Sequence, residues 1–110
     1  MAEMVRALAV LSIGTLASVD ALAEPPPGRQ DELLYRLRQD CGSCHGMTLK
    51  GGLGPALLPA DLAGKDDGAL VDTILHGRPG TPMPPWDFEI SAAEAGWLVG
   101  QLKEGLADDR

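Results

Sequence analysis

Apolar residues recur at helical spacing in three separate stretches, and no stretch alternates as a half-buried strand would. Leu33, Leu34, Leu37 and Cys41 mark one face of a helix expected over residues 31–40. Asp31 and Glu32 stand in its first turn, where the helix dipole favours acidic groups. Leu70, Val71, Ile74 and Leu75 stripe a second helix, capped by Asp66 or Asp67 and stopped by Gly77. Ser91-Ala92-Ala93-Glu94 forms a capping box that opens a third helix over residues 92–104. Its inner face is Ala95, Leu98, Leu102 and either Trp97 or Val99. The pattern predicts an all-α domain of about three helices.

What lies between the helices is unusual. From Gly46 to Gly64 glycine and proline break any period, giving a loop too long for an ordinary small domain unless it wraps something large and rigid. From Gly77 to Trp86 the chain reads GRPGTPMPPW, a stiff strap with Met83 at its centre. Residues 24–30 read as a Pro-rich, extended leader ahead of a domain over 31–110.

The first 23 residues are set apart from that domain. Arg6, the apolar run Ala7 to Val19 and the small-residue site Ala21-Leu22-Ala23 follow the order of a cleaved export signal. The alternative is a retained anchor, but at about 1.5 Å per residue this run covers only about 20 Å of a hydrocarbon core of about 30 Å. Cleavage after Ala23 implies a periplasmic protein, soluble once the signal is removed and expected to be a monomer.

Composition sharpens the problem of the core. The 110 residues include two Trp, one Tyr and one Phe against 14 Gly and 9 Pro, so large apolar side chains are scarce. A domain this small needs a staple. Two cysteines three residues apart close no useful disulfide loop, so the staple must be of another kind. The net charge of −7 argues against nucleic acid, whose binding relies on Lys and Arg. A basic patch on a protein partner is the natural complement.

Cys41-Gly42-Ser43-Cys44-His45 supplies the missing volume, since C-x-x-C-H is the attachment signature of c-type haem. The two thiols add across the two vinyl groups as thioethers, and the next residue places an imidazole at the iron. A thioredoxin-like pair would need a βαβ pattern that is absent. A zinc site would need a fourth ligand for which only His76 is on offer. The carbonyl of Pro55 is a candidate acceptor for the second N–H of His45. Met83 is the candidate sixth ligand, with His76 as its rival. Trp86 is expected against the haem edge with its N–H toward a propionate, and Arg78, or less readily Lys50, as a further propionate partner. Trp97 is expected to pack the last helix on the first, near Tyr35 and Leu37.

CGSCHG, GGLGPAL, ILHGRPGTPMPPW and SAAEAGWLVGQL together resemble the small class I monohaem cytochromes c across nearly all of residues 31–106. Within that group the chain is most similar to the cytochrome c-55X type of denitrifying bacteria. The resemblance implies one covalent haem c wrapped by helices and long loops, with Cys41 and Cys44 as anchors, His45 and Met83 axial, and Pro55 behind His45. It also implies that the first and last helices cross beside the haem. Functionally it implies a single-electron carrier, not an enzyme, with both axial positions filled. The partners it implies are an upstream donor and the cytochrome cd-type nitrite reductase. A redox or docking role in maturing that reductase or its special haem would leave the same sequence signature. Gas sensing or peroxidase-like activity would require a labile Met83.

Overall fold

The computed structural model describes residues 24–106 and the isolated Gly14, so the export signal expected over 1–23 lies outside the described residues. The first helical run is longer than the apolar pattern suggests. α1 spans Pro27–Arg36, a π turn covers Leu37–Cys41, and α2 continues as Gly42–His45. The extended leader is therefore confined to residues 24–26. Pro27 occupies the first turn of α1, where its missing N–H costs nothing, and the Gln30 N–H closes that turn on the Pro26 carbonyl at 2.9 Å.

Within the glycine-rich stretch one helical turn appears, α3 at Pro59–Leu62, because Asp61 accepts the Leu58 N–H at 3.1 Å. α4 spans Asp67–His76, with Asp66 accepting the Ala69 N–H at 2.9 Å as its cap. α5 spans Ala92–Glu104 and starts on a true capping box: Ser91 Oγ accepts the Glu94 N–H at 3.1 Å, and Glu94 accepts the Ser91 N–H at 3.0 Å. Three main helical runs thus cover the stretches that periodicity marked, with the first beginning earlier and one further helical turn, α3, that periodicity did not resolve. Among the described residues there is no strand, and no helix is long and apolar enough to cross a membrane.

α5 is the hub. It packs on α4, α3 and α1, and its buried face is Ala95, Leu98, Val99 and Leu102. Val99 rather than Trp97 therefore completes that face; Trp97 is half-buried at its margin. Leu33 and Leu37 from the first run, Leu49, Leu62, Leu75, Ile90 and Leu106 fill the rest of the core. Tyr35 is 68% exposed and takes no part in it, contrary to the expected Trp97–Tyr35 packing. It falls between Leu33 and Leu37 on the helix, off their shared face.

The run and the hub are also tied by charge. Arg29 donates from Nε and Nη2 to the two carboxylate oxygens of Glu94, at 2.7 and 3.0 Å. The same guanidinium reaches Glu32 at 3.0 Å and the Glu89 carbonyl at 2.8 Å. Such forked pairing is the stronger form of an ion pair, and it holds the Glu94 carboxyl down at a pKa of about 2.

Candidate haem site

Cys41 closes the π turn, and Cys44 and His45 lie on the short helix that follows. Both cysteines are half-buried and free. Burial, and then the neighbouring charge of Asp40, push the Cys41 thiol up to about 11. Among the described residues no three His, Cys, Asp or Glu side chains converge on a metal-ion site. Two free thiols with His45 directly after them are the donor set for thioether attachment of a haem.

The loop after the motif folds directly back onto it. Gly51 N–H donates to the His45 carbonyl at 2.8 Å, Gly54 N–H to the Cys44 carbonyl at 2.7 Å, and Gly52 N–H to the Gly54 carbonyl at 2.9 Å. This brings the Pro55 carbonyl to 2.7 Å from His45 Nδ1. A carbonyl only accepts, so in the neutral ring Nδ1 carries the proton and Nε2 keeps its lone pair. The imidazole lies close against Gly54, where a Cβ would stand 2.9 Å from two ring atoms. Position 54 has no room for a side chain.

Met83 is half-buried on the strap, and its backbone is bonded on both sides. Its N–H donates to Thr81 Oγ1 at 3.3 Å, and its carbonyl accepts the Arg78 N–H at 3.2 Å. Thr81 closes the turn by donating from Oγ1 and N–H to the Arg78 carbonyl, at 2.7 and 3.0 Å. The strap crosses Gly77 so closely that a Cβ there would stand 2.6 Å from the Met83 carbonyl, and the φ of +70° is one that side chains resist. Past the prolines, Trp86 N–H is shared between the Ile74 and Leu75 carbonyls at 3.0 and 3.2 Å, which anchors the strap to the end of α4.

The remaining candidates are distributed as follows. The side chains of Arg78 and Lys50 are exposed, and it is the backbone of Arg78 that shapes the strap. His76 is 63% exposed and faces Asp87 at 3.8 Å. The Trp86 ring stacks on Phe88 at 5.9 Å, and the Arg36 guanidinium lies 6.0 Å from its centroid. Thr81, Arg36 and Arg29 are contributions that sequence reasoning missed. A Thr two residues before Met83 is a local turn signal that would have found the first; neither arginine had one. Between His45 and Met83 in the chain, Leu57, Leu58, Leu70, Val71 and Ile74 are half-buried against the core, apolar walls of the kind a porphyrin needs.

Comparison with known proteins agrees with this chemistry. The family model described as cytochrome C oxidase, cbb3-type, subunit III matches residues 28–100. Cytochrome c55X of Pseudomonas aeruginosa is 58% identical over 74% of this chain and 68% of its own length. The chain belongs to the cytochrome c55X family. The Paracoccus denitrificans cytochrome c55X is 48% identical over 86% of this chain and 88% of its own length. The solved structure of the c-type cytochrome NirC superposes with a TM-score of 0.73 at 58% identity, covering 74% of this chain and 96% of that one. A dihydro-heme d1 dehydrogenase of Pseudomonas aeruginosa is 40% identical over 84% of this chain, which spans only 18% of that larger protein. As a c-type cytochrome of this family the protein binds one haem c covalently, and the donor set above fits it.

Proposed function

We propose that this cytochrome is a periplasmic monohaem carrier that passes single electrons to a cytochrome cd-type nitrite reductase in denitrification, receiving them from an upstream redox protein. Cys41 and Cys44 are the thioether anchors, and His45 and Met83 the axial ligands. When bound, the haem supplies a ferric/ferrous couple that holds or gives up one electron. The fixed His45 tautomer carries this reading, because Nδ1 spent on the Pro55 carbonyl leaves Nε2 as the ring's available donor. The doubly bonded Met83 backbone supports a ligand that keeps its place as the charge changes. The exposure of His76 supports assigning it to the surface. With both axial positions taken, no position is left for a substrate, so the protein is no enzyme. A histidine–methionine pair favours a raised potential. The acidic chain, acting as a monomer, suits brief docking on a basic partner surface.

Mixing the reduced holo-protein with purified nitrite reductase and nitrite tests this directly. Multiple-turnover oxidation that slows as salt rises is the expected result, and no oxidation would defeat the carrier reading.

A second reading is favoured by the 40% identity to a dihydro-heme d1 dehydrogenase: the protein serves maturation of the reductase's special haem. Nitrite reductase isolated from a deletion strain separates the two. A full cofactor set defeats the maturation reading, and a missing special haem defeats the simple carrier reading.

A further inference from the structure

We infer that Arg36 is a positioning residue that holds the Met83 side of the haem site against the Cys41–His45 side. The inference rests on the proposed ligation by Met83. The two sides come from distant parts of the chain. Cys41, Cys44 and His45 continue the first helical run, and Met83 lies on the strap hung from the end of α4. Arg36, in the last turn of α1, joins them.

Its guanidinium lies over the Trp86 ring at 6.0 Å and is aimed there by two carboxylates, Asp40 at 3.3 Å and Glu89 in close contact. Trp86 is where the strap is fastened. Its N–H is shared between the Ile74 and Leu75 carbonyls, and its own carbonyl accepts the N–H groups of Glu89 and Ile90 at 3.0 and 2.9 Å. Ile90 is buried in the core. Arg36, five residues before Cys41, thus grips the turn by the face of Trp86, three residues beyond Met83, and by Glu89, six beyond it. The prolines flanking Met83 transmit any shift of Trp86, because they leave the strap little slack. The strap's other fastenings run to α4, within the strap, and from Arg29 to the Glu89 carbonyl at 2.8 Å; Arg36 is the α1 side chain that holds Trp86 itself.

A cation over an indole and a half-exposed ion pair together are worth roughly a tenfold change in an equilibrium, the equivalent of about 1.4 kcal/mol. The test is an imidazole titration of the ferric holo-protein, read at the weak red charge-transfer band that methionine ligation gives. Imidazole should displace Met83 from Arg36→Ala at about a tenth of the wild-type concentration. Arg36→Lys should fall between the two, since lysine keeps the charge without the flat face. Glu94→Gln, which weakens the α1–α5 ion pair and leaves the Arg29 bond to the Glu89 carbonyl in place, should lower the melting temperature yet titrate like wild type. If Arg36→Ala accumulates no holo-protein, Glu89→Gln carries the test, with a smaller shift in the same direction expected. A wild-type titration in Arg36→Ala or its Glu89→Gln substitute, or an equal shift in Glu94→Gln, would overturn the inference. A wild-type protein without the band would remove the Met83 assignment together with the inference, whereas a normal band with no Arg36 effect would remove the inference alone.

Discussion

The two halves of the proposed haem site are built on opposite plans. The His45 half is local: the loop bonds that fold back onto it run between residues 44 and 57, and the imidazole is pinned by a carbonyl ten residues away. The Met83 half is assembled from afar. Its strap is stiffened by its own prolines and Thr81, but its position is set by α4 and by Arg36 at the end of α1. Local construction tolerates loosening elsewhere in the fold, while distant construction inherits it. The histidine side should therefore be the fixed wall of the site and the methionine side the one that yields first.

The harshest way to break this contrast is to attack the fixed wall. Gly54→Val drives a side chain into the imidazole, where even a Cβ would stand 2.9 Å from the ring. A loss above about 3 kcal/mol is expected, seen as little or no haem-stained protein accumulating. Next in size, Met83→His should leave the covalent haem in place and lower the potential, within the roughly 0.8 V range that axial ligands command. Potentiometry would check it, and an unchanged potential would show that Met83 is not bound.

Arg29→Gln cuts the α1–α5 tie and should cost about 1–2 kcal/mol of stability. Because the Glu94 pKa falls from its ordinary 4.5 to about 2 in the fold, this contact stabilises the native state above pH 4.5 and is lost as pH drops through 2. The melting-temperature gap between wild type and Arg29→Gln should be flat from neutral pH to about 5 and shrink below 4.5. The smallest effect belongs to Thr81→Val. It removes two hydrogen bonds of the strap turn, costs about 1 kcal/mol, and should make imidazole displace Met83 a few-fold more readily with His45 untouched.

The legible and the illegible parts of the molecule divide along the same line. Capping chemistry is local, so the starts of α4 and α5 could be read from Asp66 and from Ser91 with Glu94. The attachment motif and the proline strap were visible for the same reason, being short runs of unusual composition. The start of α1 was misplaced because proline reads as a breaker, although at the first turn it is a good beginning. The pairing of Arg29 with Glu94 and the stacking of Arg36 on Trp86 join residues far apart in the chain. No spacing rule reports such pairs. The close approach of Gly54 to the imidazole was hidden similarly, since glycine in a loop has many bland explanations.

The account turns on a methionine sulfur at the iron, opposite a histidine that does not move. Proton NMR of the reduced holo-protein reads this most directly, because a thioether methyl held over a porphyrin is thrown far upfield by the ring current. The account predicts one such three-proton signal, retained in Met47→Leu and absent in Met83→Leu. A spectrum without it, or one in which it survives the loss of Met83, would contradict the account.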